Sequence, residues 1–291
     1  MRKLWQIGKD AFQAFQRDRA LLAAAGVAFY ITLSMIPLLL LLVSVAAFFV
    51  SPAQVQALGN ELTTSFGAGV GGAIRSQVLS VVQNRGVLGG ISLAVGLWAG
   101  SQVFVITQVA LNEVWEVEEA RPLWVRRGLA LLMVIVTGAL AAIAVLARFL
   151  VQVLGALRIP LLGFQVQQIP WFLLVLLNVV LPWLVITVAF LLVYRYLSAR
   201  KISWRLALPG AIVAGTLWVL VLQAFSWYTG NFGNYNALYG SLGGLVLLML
   251  WFNYSAIIML YGAEFSSAWE RHRTGTSAQR GEDGEEQRKA A

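Results

Sequence analysis

Residues 206–263 read LALPGAIVAGTLWVLVLQAFSWYTGNFGNYNALYGSLGGLVLLMLWFNYSAIIMLYGA and contain no charged side chain. A membrane-spanning helix needs roughly 20 apolar residues, so this stretch predicts two spans around a polar turn. Other uncharged runs occupy residues 20–60, 86–112, 128–147 and 159–194. We therefore predict an all-α, polytopic membrane helical bundle of about six transmembrane helices. The predicted spans lie near residues 26–50, 87–111, 128–150, 171–194, 207–227 and 242–263.

The composition also favours a lipid environment and excludes several chemistries. Of the 291 residues, 59% are apolar and 12% are charged, with a mean hydropathy of +0.75. Globular domains carry about 25% charged residues, and a soluble fold of this size could not bury so much apolar surface. The chain has no cysteine, one histidine (His272, in a polar tail) and three aspartates outside the spans. Disulfides, thiolate catalysis and Cys-based zinc sites are thus excluded, and we expect no metal, no cofactor and no His/Asp hydrolase centre.

The basic residues predict the orientation of the chain. The formal net charge is +8, and all but four of the 21 Lys and Arg residues fall in the two ends and in the second and fourth loops. The exceptions are Arg75, Arg85, Arg148 and Arg158. The positive-inside rule then places both termini in the cytoplasm. Basic flanks of this kind face anionic lipid rather than nucleic acid.

Three segments make up the predicted organisation. Residues 1–19 form an amphipathic helix on the cytoplasmic face, with Trp5, Gly8, Phe12 and Phe15 as its apolar stripe. Residues 20–268 form the transmembrane domain, whose first external loop (51–86) holds short amphipathic helices. Residues 269–291 form a disordered cytoplasmic tail.

Two polar features fall within or beside the early spans. Ser101, Gln108 and Asn112 share one helical stripe that should face the bundle interior. Pro37 frees the carbonyl of Leu33, which neighbouring hydroxyls such as that of Ser34 would satisfy. Interhelical hydrogen bonding is the alternative role for Gln108, and a loop clamp the alternative for Asn112.

Three polar residues in the later spans complete the set. Pro182 frees the backbone carbonyl of Asn178, four residues earlier, and Asn253 and Glu264 are eleven residues apart on one helix face. Interhelical hydrogen bonding is the alternative for both asparagines. Pairing with a cytoplasmic arginine is the alternative for Glu264, and a proton-coupled role would rest on that residue alone.

Three ordered motifs resemble the YihY/BrkB family of bacterial inner-membrane proteins over roughly residues 10–268. They are AAAGVAFY (23–30) with PLL (37–39), LW (97–98) with ALN (110–112) and RP (121–122), and PGA (209–211) with YGSLG (239–243) and GAE (262–264). The resemblance implies a bacterial inner-membrane location. The family's former label, ribonuclease BN, is regarded as a misassignment. Some relatives carry a virulence or serum-resistance label, and others have been proposed to export lipid A precursors.

Two functions from different classes remain open at this stage. The first is a transporter or flippase of an envelope lipid or another amphiphile, and the alternative is a non-catalytic membrane scaffold in envelope integrity or virulence. We do not expect an enzyme, and in particular not a ribonuclease. The expected partners are membrane lipids, anionic ones among them, and no nucleic acid, with a homo-oligomer left open. The candidate residues for a substrate path or structural core are Ser34, Pro37, Ser101, Gln108, Asn112, Arg121, Asn178, Tyr239, Gly240, Asn253 and Glu264.

Overall fold

The computed structural model describes residues 2–49, 87–117, 121–156, 179–232 and 243–274. Within these ranges the chain forms seven α-helices, π-helical residues on both sides of the fifth helix (179–180 and Val193–Leu197) and no strand, which confirms the predicted all-α class. The helices are α1 (Arg2–Arg17), α2 (Ala20–Phe49), α3 (Val87–Val114), α4 (Leu123–Ala156), α5 (Leu181–Leu192), α6 (Trp204–Phe232) and α7 (Gly243–Thr274). The π turn (Val193–Leu197) continues α5 directly.

Four helices, namely α3, α4, α6 and α7, are long and apolar enough to cross a membrane. Helices α1 and α2 pass the same test only as a pair, which would add a fifth span. The chain bends by 71° between these two helices. Leu181–Leu197, which comprises α5 and the π turn, is a shorter apolar helix, and part of its predicted span lies outside the described residues. The structure therefore supports a helical membrane bundle, while the count of six spans stays a prediction.

Helix α1 is amphipathic, but its buried face differs from the predicted stripe. Ile7 and Ala11 pack against Phe265 and Ala268 of α7. Of the aromatic residues on the predicted apolar stripe, Trp5 and Phe12 are exposed, whereas Phe15 is buried with its ring 6.2 Å from that of Tyr261 on α7. The buried face of α1 therefore combines Phe15 with the smaller residues Ile7 and Ala11. An interfacial helix presents its exposed aromatic rings to lipid.

Helix α7 lies between α1, α2 and α6, and its contact with α6 is the closest of the three. At Gly210 an added Cβ would collide with the carbonyl oxygen of Gly262 and the hydroxyl of Ser266. At Gly215 a Cβ would collide with Thr187 of α5. The small residues of α6 therefore permit close helix packing, as the small-xxx-small pattern around Gly215 predicts.

The structure corrects the predicted start of the C-terminal tail. Helix α7 continues to Thr274, so the boundary at residue 269 is too early. His272, which we assigned to a polar tail, lies within this helix with its Nε2 2.6 Å from Oδ2 of Asp10. This contact with α1 holds the last turns of α7 in place. Residues 275–291 and the segment 51–86, which we predicted to be an external loop, lie outside the described residues.

Candidate functional site

Ser101 and Gln108 of the predicted polar stripe on α3 are buried, and their polar atoms bind neighbouring backbone and side chains. Gln108 donates from Nε2 to the carbonyl oxygen of Arg126 on α4, at 3.1 Å. Ser101 donates to the carbonyl oxygen of Trp98 at 2.7 Å and accepts from Nη1 of Arg127 at 3.2 Å. Interhelical hydrogen bonding, the alternative role for Gln108, therefore accounts for this side chain. The two arginines that join α4 to α3 were not predicted as partners.

Asn112 and Arg121 hold the end of the π turn. The backbone N–H of Ala199 donates to Oδ1 of Asn112 at 2.8 Å. Arg121 donates from Nη1 to the carbonyl oxygen of Tyr196 at 2.9 Å, and partial burial lowers the pKa of its guanidinium. A helix end leaves backbone groups without partners, and these two side chains satisfy some of them. The loop-clamp alternative thus describes Asn112, and Arg121 belongs to the same clamp.

Ser34 connects α2 with α3 and does not relieve the proline kink. Its hydroxyl donates to the carbonyl oxygen of Ala99 at 2.7 Å. The hydroxyl of Thr32 donates to the carbonyl oxygen of Ala28 at 2.8 Å. Each hydroxyl has one proton to donate, so our expectation that these groups satisfy the carbonyl of Leu33 is wrong.

Glu264 is fully buried in α7, and its carboxyl oxygens make no hydrogen bond of normal geometry with any described residue. No ion pair between Glu264 and an arginine forms in the described part of the chain, so the alternative of pairing with a cytoplasmic arginine stays a prediction. Arg17 pairs instead with Asp18, with Nε 2.8 Å from Oδ1. Arg271 donates to the hydroxyl of Ser267 at 2.8 Å.

Asn253 is the second residue of α7 with an unsatisfied oxygen. Its Oδ1 is buried and has no hydrogen-bond partner among the described residues. Ser255, two residues further along, accepts a hydrogen bond from Nε1 of Trp218 at 3.2 Å. The same helix thus carries hydrogen-bonded polar side chains, such as Ser255 and Ser266, and two side chains with unsatisfied oxygens.

Several functional groups could not be expected from local sequence. Tyr194 is fully buried and donates to the carbonyl oxygen of Met259 at 2.6 Å. The Nε atoms of Arg126 and Arg195 are buried without an acceptor among the described residues. No sequence motif indicates these features, because each depends on how residues of different helices are placed.

The remaining predicted site residues cannot be placed in a site. Asn178, Tyr239 and Gly240 lie outside the described residues, and Pro37 falls within α2 in a part whose side chains are not described. In the ranges that the structure does describe, no cluster of three or more His, Cys, Asp or Glu residues could hold a metal ion.

Several membrane-length apolar helices, packed together with polar side chains between them, define an integral membrane protein of the helical-bundle class. The family model described as virulence factor BrkB matches residues 11–288. This chain belongs to the BrkB family, which confirms the resemblance drawn from the three motifs.

Relatives with curated names come from several bacteria. The ribonuclease-like protein YfkH of Bacillus subtilis is 26% identical over 276 residues, covering 91% of this chain and 95% of its own length. The UPF0761 membrane protein PSHAa0171 of Pseudoalteromonas translucida is 26% identical over 259 residues, covering 86% and 81%. The UPF0761 membrane protein XCC0860 of Xanthomonas campestris is 29% identical over 282 residues, covering 94% and 63%. No solved structure matches this chain at a significant level.

Proposed function

We propose that this protein is a transporter or flippase that moves an envelope lipid or another amphiphile across the bacterial inner membrane. The observation that carries the proposal is the set of unsatisfied oxygens in α7, namely Oδ1 of Asn253 and both carboxyl oxygens of Glu264. They lie on one face of a helix that is apolar enough to span a membrane.

Burial of these polar groups without hydrogen-bond partners lowers the stability of the folded protein. A buried polar group without a partner costs about 1–3 kcal/mol, and a charged group costs more. Ser34, Ser101, Gln108 and Asn112 avoid this cost by binding neighbouring helices and turns. Groups that remain unsatisfied inside a membrane protein mark substrate or ion pathways. Among the described residues, α7 carries three of the four buried side-chain oxygens without a partner, and the fourth is Oγ1 of Thr187 on α5.

Two arginine side chains of the bundle could bind an anionic lipid headgroup. The guanidinium groups of Arg126 and Arg195 each have a buried Nε without an acceptor in the described chain. Arg195 lies over the rings of Tyr196 and Trp204, at 5.6 and 5.7 Å from their centroids. These contacts restrain the guanidinium without using its hydrogen-bond donors. A lipid phosphate could accept from such donors.

Both termini would lie in the cytoplasm under this proposal, because most basic residues lie at the chain ends and in alternate loops. Fusion of a fluorescent protein that matures only in the cytoplasm tests the C-terminal location. A dark, exported fusion would contradict the orientation.

A lipid-exchange assay tests the transport itself. Purified protein is reconstituted into vesicles with fluorescent phosphatidylglycerol, and a membrane-impermeant quencher reports the lipid that reaches the outer leaflet. We expect faster exchange than in empty vesicles. Asn253→Leu should slow exchange on the order of fivefold, the equivalent of one lost hydrogen bond of about 1 kcal/mol. The matched control is Ser255→Ala, which alters a satisfied polar group on the same helix.

Two results would count against transport. If wild-type vesicles exchange phosphatidylglycerol, phosphatidylethanolamine and a lipid A precursor no faster than empty vesicles, the proposal fails for these amphiphiles. If Asn253→Leu and Ser255→Ala behave alike, Asn253 has no special part in the path. The scaffold function would then become the better hypothesis, with crosslinking in intact cells as its test. Catalysis, including RNA cleavage, forms no part of the proposal.

A further inference from the structure

Two neighbouring arginines of α4, Arg126 and Arg127, reach across to the middle of α3. Nη2 of Arg126 donates to the carbonyl oxygen of Val105 at 3.2 Å. Nη1 of Arg127 donates to the hydroxyl oxygen of Ser101 at 3.2 Å, and its Cζ atom lies 5.8 Å from the centroid of the Trp98 ring. The two guanidinium groups therefore extend along the contact between α3 and α4, away from the loop that joins these helices.

These contacts place positive charge deep along a helix of membrane length. The apolar segment of α3 covers Ala94–Val114. Ser101 lies about 20 Å from the end of this segment, at 1.5 Å of rise per residue, and the hydrocarbon core of a bilayer is about 30 Å thick. The guanidinium of Arg127 thus lies at the level of the hydrocarbon core if α3 crosses the membrane. An ionisable side chain at such a depth indicates a functional site.

Neither arginine pairs with a carboxylate in the part of the chain that the structure describes. The ion pairs found there involve Arg17, Arg200 and His272. The groups that contact Arg126 and Arg127 are a backbone carbonyl, a hydroxyl and an indole ring, all of them neutral. Nε of Arg126 is buried and has no acceptor among the described residues. Because arginine keeps its charge in proteins, the pair presents two positive charges that await an anion.

The arginine pair lies beside apolar side chains that are open to the surroundings. Trp98, under the guanidinium of Arg127, is 57% exposed, and Val95 and Val109 on the same face of α3 are exposed as well. On α4, Trp124 is 82% exposed and precedes Arg127 by three residues, which puts both on one side of that helix. In a membrane, such a surface contacts acyl chains.

We propose that Arg126 and Arg127 bind the phosphate of an anionic membrane phospholipid at the contact between α3 and α4. A guanidinium has five N–H donors, and each of these two donates once to α3. The phosphate oxygens accept charge-assisted hydrogen bonds from the remaining donors. The acyl chains lie against the exposed apolar residues beside the pair, which a free phosphate ion would leave uncovered. The ligand is therefore a lipid.

The charges also set the headgroup preference of this site. Two cations without a carboxylate attract a headgroup of net negative charge, such as phosphatidylglycerol, and repel the quaternary ammonium of phosphatidylcholine. The lipid-binding site stands by itself, whereas its use as a station for a lipid that is moved rests on the proposed function.

Native mass spectrometry of the purified full-length protein tests the headgroup preference. The protein is delipidated in detergent and titrated with phosphatidylglycerol or with phosphatidylcholine of the same acyl chains. We expect tighter binding of phosphatidylglycerol. Arg127→Gln removes the charge but keeps a side-chain N–H donor, and it should weaken this binding roughly tenfold, which corresponds to about 1.4 kcal/mol. Arg200→Gln is the matched control, because it removes the same charge from an arginine that pairs with Glu270 at 2.7 Å.

Photo-crosslinking locates the site in the wild type without any substitution. A phosphatidylglycerol with a diazirine near the top of one acyl chain is added, and the crosslinked peptides are identified by mass spectrometry. We expect crosslinks at Trp98 or Trp124, and competition by unlabelled phosphatidylglycerol but not by inorganic phosphate. A thermal melt identifies a variant that fails to fold. If Arg127→Gln does so, Arg126→Gln takes its place, with the same expected loss of binding.

Four outcomes would overturn the proposal. One is equal affinity of the folded wild type for the two lipids. Another is an equal effect of Arg127→Gln and Arg200→Gln, which would leave the arginine pair as a structural link between α3 and α4. The third is competition by inorganic phosphate, which would assign the site to a free anion. The fourth is crosslinks confined to other helices.

Failure of this site and failure of transport can be told apart. If phosphatidylglycerol binds as we expect but reconstituted protein exchanges no lipid, the lipid site stands and the transport function fails. If the protein exchanges lipid while folded Arg127→Gln binds phosphatidylglycerol as the wild type does, the transport function stands and the site fails.

Discussion

The substitution Gly210→Ala tests the closest helix contact in the described bundle. Gly210 lies on α6, one residue after Pro209, and faces Gly262 of α7. An added Cβ would overlap the carbonyl oxygen of Gly262, a backbone atom that cannot rotate away. It would also overlap the hydroxyl of Ser266, which accepts a hydrogen bond from the N–H of Gly210 at 3.2 Å. We expect α6 and α7 to move apart.

The magnitude follows from three terms. Overpacking of a well-packed interior costs about 1–3 kcal/mol, and a collision with backbone places this contact near the upper value. Loss of the hydrogen bond to Ser266 adds about 1 kcal/mol. The higher helix propensity of alanine offsets about 1 kcal/mol. The net destabilisation is therefore about 3 kcal/mol, which corresponds to roughly 6–12 °C in Tm for a chain of this size.

Thermal melting in detergent, followed by size-exclusion chromatography of the remaining folded protein, measures this change. Gly138→Ala in α4 is the matched control, since nothing lies within 4 Å of a Cβ at that position. We expect its melting temperature to equal or slightly exceed that of wild type. Equal melting temperatures for Gly210→Ala and Gly138→Ala would refute the close approach of α6 and α7.

Two further predictions concern contacts between distant parts of the chain. Asn112→Ala should lower the free energy of unfolding by about 1–2 kcal/mol, because the N–H of Ala199 loses its acceptor. The same melting assay measures this destabilisation, and an unchanged melting temperature would contradict the clamp. His272→Ala should loosen α1, because Asp10 loses its partner at 2.6 Å, and limited proteolysis should then cleave within residues 2–17 faster than in wild type. Arg273→Ala, one residue along in an exposed position, is the control, and equal cleavage rates in the two variants would show that the contact with Asp10 does not hold α1.

The amino-acid sequence alone was sufficient to predict the class of protein and the positions of most helices. Uncharged apolar runs predict membrane helices because the bilayer excludes charge along each segment separately. The run at 206–263 therefore separates into α6 and α7, and the run at 86–112 corresponds to α3. The inward-facing stripe of Ser101 and Gln108 also follows from helical periodicity within one segment.

Tertiary structure alone decided which polar residues are satisfied. Ser34 finds its acceptor on Ala99, Asn112 its donor on Ala199, and Asp10 its partner on His272. Asn253 and Glu264 have the same kinds of polar atoms but meet no such partner among the described residues. Hydropathy is a property of each segment, whereas a hydrogen bond depends on the positions of two atoms that different helices supply. For this reason the sequence predicted where polar groups enter the bundle, and only the packing of α7 against α1, α2 and α6 separated structural polar groups from candidates for function.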